Sequence, residues 1–166
     1  MANTSKNEMD DEFLITLPEP YLTAIGKVCV QWGLLEVAVE MATYKLAGMD
    51  SNDWRSKVMV THMAWPQRVD ILASLTEDLL ENYPHLKNYK LKVRPALKKA
   101  QKGRNRIVHA QWDYDEDTGV ASILSASARG KLKLAITPTT IDEIESIADN
   151  VGRANIFVWK MILNKL

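Results

Sequence analysis

The sequence predicts a mainly α protein: an antiparallel helical bundle of about four to five helices, with a small antiparallel β-meander inserted before the last helix. Two observations lead to this fold class. Over most of the chain, apolar residues recur at steps of three and four, which is the period of a helix with one buried face. From about residue 110 to 137 the period changes to two, which is typical of half-buried strands.

The composition fits one globular domain with a substantial core, since 46% of the 166 residues are apolar and 25% are charged. With 21 basic and 21 acidic residues, the chain has no net charge that would draw it to nucleic acid or membranes. Its single cysteine, Cys29, sits in an apolar helical pattern and is expected to be a buried thiol. The sequence has no secretion signal and no apolar run that approaches the length of a membrane span, which is roughly 20 residues, so a cytoplasmic protein is expected.

The elements follow from periodicity and from start and stop signals. Residues 1–16 are expected to form a disordered or extended leader, and residues 17–166 a single domain. Pro95 is expected to kink or restart the basic helix that is predicted at about 85–108. Thr140 and Glu143 form a capping-box pattern at the start of the last helix. Helices are predicted at about 20–47, 54–63, 66–81, 85–108 and 141–163.

The meander is predicted between the last two helices. Trp112 and Tyr114 alternate with acidic residues, and Asp117-Thr118-Gly119 supplies the residues of a tight turn. Residues 120–126 read as a second strand, and residues 131–136, in which apolar and polar residues alternate cleanly, read as a third.

The most informative motif is the hexad Arg104-Asn105-Arg106-Ile107-Val108-His109, which closes the basic helix. An arginine can hold two phosphate oxygens and stabilise charge on a phosphorane-like transition state. An imidazole, which titrates near neutral pH, can take the proton of a ribose 2′-hydroxyl or protonate the leaving oxygen. Asn105 would hold the imidazole tautomer or a phosphate oxygen. Arg104, Asn105 and His109 are therefore candidate catalytic residues for RNA cleavage.

Arg104 continues the apolar stripe of its helix, and a buried guanidinium needs a partner. Glu36 is the matching charge near the stripe of the first helix, so we predict a Glu36 to Arg104 ion pair. That pair would either hold two helices in register or orient Arg104 towards a phosphate. On an ideal helix Arg104 and His109 lie about 140° apart. They converge only if the helix ends near Val108 or if two subunits share the site; otherwise His109 is a helix cap.

Local charge also points to nucleic acid. Nine Lys or Arg residues and no Asp or Glu lie between Asn82 and Trp112. On a helix most of them would form a broad positive surface that attracts phosphates. The alternatives are a solvated outer face and a surface for an acidic partner. The candidate RNA-binding residues are Lys98, Lys99, Lys102 and Arg106.

No cofactor and no metal are expected. His62 and His85 are the only other histidines, and no cysteine lies near either of them in the sequence. A zinc site therefore lacks its usual ligand set. The acidic residues that flank the hairpin turn at Asp117 are expected to form the solvated face of a strand, and the chain has no glycine-rich phosphate loop.

The hexad resembles the Arg-x4-6-His signature of the HEPN superfamily (higher eukaryotes and prokaryotes nucleotide-binding), whose members commonly place Asn, Asp or His directly after the arginine. Arg104, Asn105 and His109 match that pattern. A helical core with the motif near the end of a late helix, over roughly residues 20–163, is also similar to this family. The meander after the motif is a departure that would gate the cleft or widen a dimer contact.

The resemblance implies a homodimer in which two copies of the motif face a cleft. In active members it implies a metal-independent endoribonuclease of toxin–antitoxin, phage-defence or RNA-processing systems, with RNA as substrate and a cognate antitoxin or other protein as partner. Arg104 and His109 would then be catalytic and Asn105 supporting. Other members have lost activity, which keeps open a second hypothesis: a helical dimerisation or RNA- or protein-binding module.

Overall fold

The structure, a computed structural model, describes residues 17–127 and 133–164; the leader predicted at 1–16 lies outside them. The described residues form five α-helices and a three-stranded antiparallel sheet that precedes the last helix, which confirms the predicted fold class. The helices are α1 (Glu19–Leu46), α2 (Trp54–Thr61), α3 (Trp65–Asp78), α4 (Arg94–Val108) and α5 (Ile141–Ile162). The strands are β1 (Gln111–Asp115), β2 (Val120–Ser127) and β3 (Lys133–Pro138), in the order β1-β2-β3.

Local signals set several of the helix ends. The capping box at the start of α5 is present, because Thr140 Oγ1 accepts a hydrogen bond from Glu143 N and Glu143 Oε2 accepts one from Thr140 N. After α1 the chain turns at Gly48, whose φ of 65° lies in the left-handed region that favours glycine. Residues 131 and 132, predicted to start the third strand, lie outside the described part of the chain.

The basic segment is divided rather than forming one helix from 85 to 108. A 3-10 turn (Pro84–Lys87) and a π-helical turn (Tyr89–Val93) come first, and α4 begins only at Arg94. Proline explains the restart, because Pro95 lacks an N–H and its ring clashes with the carbonyl four residues earlier in a regular α-helix. The wider π turn relieves that clash while keeping Tyr89 and Val93 buried.

The helices α1 and α5 lie side by side and run in the same direction. Lys27 Nζ is 2.5 Å from Glu145 Oε1 near their starts, and Lys45 Nζ donates a hydrogen bond to the carbonyl of Ile162 near their ends. The helix α4 runs antiparallel to α5 and approaches it closely at Gly103. A Cβ added to Gly103 would lie 2.9 Å from Ile147 Cγ2, so only glycine fits this approach without a shift.

The core has two parts. The larger cluster joins α1, α3, α4 and α5, with Leu35, Leu72, Leu97 and Val158 among its fully buried side chains. A smaller cluster lies where the sheet meets the starts of α1 and α5 and the end of α4. Ile107 belongs to it, three residues after Arg104, and the last turn of α4 is therefore held between the two helices and the sheet.

A matched pair of leucines measures what this burial contributes. Leu97 is fully buried, whereas Leu91 is 70% exposed. Leu97→Ala is expected to lower the free energy of unfolding by about 2–5 kcal/mol, because it removes buried contacts and leaves a cavity. Leu91→Ala is expected to change it by less than about 0.5 kcal/mol. Urea denaturation followed by circular dichroism measures both, and equal losses for the two variants would contradict the core assignment.

Tyr89 gives the fold a dependence on alkaline pH. Its hydroxyl donates to the carbonyl of Val69 at 3.0 Å, and burial raises the pKa of Tyr89 from 10.0 to about 12. The folded state therefore holds this proton more tightly, so the stabilisation is complete below about pH 10 and is lost as pH rises towards 12. We expect Tyr89→Phe to flatten the fall in urea midpoint between about pH 10 and 12 relative to wild type. An unchanged slope would contradict this assignment.

The helix α1 is apolar on two faces. By length and composition α1 could cross a membrane, which is contrary to expectation. The core helix of a soluble protein passes the same test, and 33% of the most apolar 18-residue stretch of α1 is buried. Cys29, expected to be buried, is exposed instead. It lies on a second apolar stripe that no other described residue covers. This outer face of α1 consists of Leu22, Gly26, Cys29, Val30, Gly33 and Val37.

Candidate functional site

The end of α4 brings the arginine and histidine of the hexad together in one chain. The helix ends at Val108, and His109 leaves helical geometry with φ −103° and ψ 12°. Its imidazole swings back so that Nε2 contacts Arg104 Nη1. Of the two routes to convergence predicted from the sequence, the end of the helix therefore suffices within one chain. A site shared between subunits is not needed for this contact.

The sheet fixes where the helix ends. Trp112, in β1, donates a hydrogen bond from Nε1 to the carbonyl of Ile107 at 3.2 Å, and so satisfies one of the carbonyls that a helix end leaves without a partner. The Trp112 ring also meets the edge of Tyr21 from α1, with ring centroids 6.5 Å apart. Because Trp112 is anchored on both sides, the meander holds the chain reversal that turns His109 towards Arg104.

The Arg104 guanidinium packs over an aromatic ring. Its Cζ lies 5.4 Å from the ring centroid of Trp32 in α1, within the range of a cation–π contact. The Trp32 ring in turn packs against Trp65 of α3, with centroids 4.4 Å apart. On its other side the guanidinium donates from Nη1 to Asn105 Oδ1 at 3.2 Å. Arg104, Asn105 and His109 thus form one contiguous group.

The predicted Glu36 to Arg104 ion pair is wrong. Among the residues that the structure describes, Glu36 takes part in no salt bridge. It lies four residues after Trp32 on α1, beside the site but not in contact with the guanidinium. Arg104 needs no buried carboxylate because it is only half-buried, and the Trp32 face, Asn105 and water can stabilise its charge.

The donor and acceptor roles in this contact follow from the chemistry of the two groups. A guanidinium has donors only, so a hydrogen bond here assigns the acceptor role to His109 Nε2 and, for a neutral imidazole, the ring proton to Nδ1. Asn105 and His109 are exposed, so the group is open to solvent at the end of α4. A neutral imidazole nitrogen that lies against a movable cation is available as a base once the cation turns to another acceptor.

The four candidate RNA-binding residues do not form one surface. Lys98 is seven residues before Asn105 and shares its side of α4. The other three, Lys99, Lys102 and Arg106, line a cavity between α4 and α5. Arg106 also lies 3.6 Å from Glu143 and donates to Thr139 Oγ1 at 3.2 Å. Side chains two residues apart point about 200° apart on a helix, so this cavity lies across α4 from Arg104.

Trp32 is the site residue that the sequence did not single out. The apolar period of α1 accounts for Trp32 only as a core residue, and it is indeed buried, at 7% exposure. A signal existed, because an arginine on the inward stripe of α4 must meet the inward stripe of a neighbouring helix, and an aromatic ring is the member of that stripe that best accepts a cation.

Within residues 17–127 and 133–164, no group of three or more His, Cys, Asp or Glu side chains is placed to hold a metal ion. The chain matches no protein-family model, no curated protein and no solved structure. The resemblance to the HEPN superfamily therefore rests on Arg104, Asn105 and His109 and on the helical architecture around them.

Proposed function

We propose that the protein is a cytoplasmic, metal-independent endoribonuclease of a bacterial toxin–antitoxin or phage-defence type, in which Arg104 and His109 are catalytic and Asn105 supports them. The observation that carries the proposal is the contact between Arg104 Nη1 and His109 Nε2 at the exposed end of α4. A cation that binds phosphate and a nitrogen base thus lie within reach of a single phosphodiester. A toxin of this type would have a cognate antitoxin as its protein partner.

The contact suggests how the reaction proceeds. An entering phosphodiester draws the Arg104 guanidinium onto two of its non-bridging oxygens, because that anion is a stronger acceptor than a neutral imidazole. The released His109 Nε2 takes the proton of the 2′-hydroxyl, and the 2′ oxygen attacks phosphorus. The bond from phosphorus to the 5′ oxygen breaks and leaves a 2′,3′-cyclic phosphate. The 5′ oxygen takes a proton from water, and the imidazolium returns its own to solvent.

The test is cleavage of RNA by the purified protein in EDTA. Wild type is expected to release fragments that end in a 2′,3′-cyclic phosphate. It is expected to leave intact a matched RNA with 2′-deoxyribose at the cleaved position, because that sugar lacks the nucleophile. No cleavage by wild type across RNAs of varied sequence, or equal cleavage of the deoxy substrate, would overturn the proposal.

The outer face of α1 favours a second candidate function, a helical dimerisation module without catalysis. Val30 is 66% exposed and Val37 50% exposed, and a Cβ at Gly26 or Gly33 would meet no other atom within 4 Å. An exposed apolar stripe with two glycines lets the backbone of another helix approach closely. We propose a second copy of the chain as its occupant, in the nuclease as in the inactive module.

The outer face also borders the candidate site, because Cys29 and Gly33 flank Trp32 on α1, and Trp32 carries Arg104. A homodimer built on this face would therefore place its second copy beside Arg104. The two candidate functions differ in one outcome. A dimer that never cleaves RNA, and in which His109→Ala changes nothing but stability, would favour the inactive module.

A further inference from the structure

The side of α4 that faces away from Trp32 carries a long depression between α4 and α5. Two adjoining cavities, of about 350 and 450 Å³, share Lys99 of α4 and Asn150 of α5 in their walls. Together they run from Lys92 to Arg106, which are 14 residues apart and hence about 20 Å along the helices. We call this depression the α4–α5 groove. It is long enough for a chain-like ligand rather than a single small ion.

The groove carries positive charge on both walls. Five cations line the two cavities, and no Asp or Glu does so among the described residues: Lys92, Lys99, Lys102, Arg106 and Arg153. Of these five, only Arg106 forms a salt bridge with a described residue. In a protein with no net charge, four cations that form no salt bridge with a described residue, gathered in one concavity, attract a polyanion.

The walls also carry groups that suit nucleotides better than an acidic peptide. Half-buried Phe157 lines the groove beside Arg153, and aromatic rings next to cations are the usual platform for stacking unpaired bases. The side chain of Asn150 lies between the two cavities. Because its Nδ2 donates a hydrogen bond to the carbonyl of Ser146, its Oδ1 is left as an acceptor for a base or sugar.

The groove ends at the helix turn that carries the candidate catalytic group, but on the opposite face of α4, so a strand that leaves the groove passes around the end of α4 to reach Arg104. Arg106 closes it two residues after Arg104 and three before His109. We infer that the α4–α5 groove holds a single strand of RNA by its phosphates, in line with the end of α4, and that Lys92 and Arg153 bind phosphates distant from the cleaved bond. This inference rests on the proposed function for its ligand, but the groove is a separate binding site with its own residues.

Binding measured without cleavage tests the groove. In a His109→Ala background, the affinity for a fluorescent single-stranded RNA of about 12 nucleotides is measured from about 50 to 200 mM salt. Lys92→Gln with Arg153→Gln is expected to weaken binding by about tenfold and to lower the log–log salt slope by about 1.4, since each single-strand phosphate contact contributes about 0.7.

The matched control removes two exposed lysines that form no salt bridge with a described residue, Lys57→Gln on α2 and Lys87→Gln in the 3-10 turn, and is expected to retain the affinity and slope of the parent. If groove and control variants behave alike, the groove inference is wrong whether or not the protein cleaves RNA. If groove-dependent binding appears but wild type never cleaves RNA, the nuclease proposal fails and the groove stands. Groove-dependent binding of a Glu-rich peptide, with none of RNA, would replace RNA by an acidic protein and overturn the inference.

Discussion

His109→Ala is expected to lower the single-turnover rate of RNA cleavage by about 10² to 10⁴-fold, because it removes the group that takes the 2′-hydroxyl proton in the proposed mechanism. Arg104→Ala is expected to cost about 10² to 10³-fold, since the charge that develops on the phosphoryl oxygens loses its donor. Arg104→Lys should recover little of this, because an ammonium cannot contact two oxygens in the geometry of a guanidinium. The rate at which 2′,3′-cyclic phosphate ends form, in EDTA and with enzyme in excess, measures all three.

Two controls separate chemistry from folding. His62→Ala removes an exposed histidine that caps α2 and is expected to retain the wild-type rate. Glu36→Gln is expected to retain it as well, because Glu36 does not contact Arg104 in the structure. Thermal melts of each variant show whether it is folded at the assay temperature. Wild-type rates in both His109→Ala and Arg104→Ala would mean that the hexad is not the catalytic group.

The parts of the site that the sequence predicts are those set by local signals. The change from helical to strand period at Ala110 placed the end of α4 near Val108, and the structure ends it there. That boundary decides whether Arg104 and His109 can meet within one chain. The capping box of Thr140 and Glu143 was equally local and equally well placed. Such features depend on a few neighbouring residues, so a single sequence suffices to read them.

The parts it does not predict depend on how helices rotate against one another. Periodicity shows which residues share a face of α4, but not which neighbour that face meets. Charge pairing suggested Glu36 as the partner of Arg104, whereas packing supplies Trp32, one turn earlier on the same helix. For the same reason the basic residues appeared to form one surface. The close approach of α4 to α5 at Gly103 instead places three of the four candidates on the far side.

Helix α1 shows why an apolar pattern can be ambiguous. Its predicted stripe is largely the buried one, with Val28, Leu35 and Val39 fully inside. A second apolar stripe runs along its outer face, so apolar character alone did not reveal that Cys29 is exposed. A helix with two apolar faces commonly buries both of them. In a single chain of this protein α1 buries only one, and the exposed second face is the physical reason to expect an intermolecular contact.

Val30→Glu with Val37→Glu is therefore expected to convert a homodimer of twice the 18.8 kDa chain mass into a monomer. Both valines lie on the outer face of α1, where a twofold contact would bring each new carboxylate into an apolar interface against its copy, at a cost of several kcal/mol. Size-exclusion chromatography with light scattering measures the mass. The control is Val58→Glu on α2. This valine is likewise exposed, at 58%, but it lies off the outer face of α1.

A monomeric wild type at micromolar concentration, or a dimer that survives both glutamates, would contradict this interface. If the dimer forms, mixing subunits tests where the catalytic pair resides. Because Arg104 and His109 meet within one chain, re-associated mixtures of Arg104→Ala and His109→Ala protein are expected to be as inactive as either variant alone. In a site shared across the interface, mixed dimers would contain one site with both side chains intact, and cleavage would return. Recovery of activity would thus assign the working pair to two subunits and make the contact seen within one chain a resting arrangement.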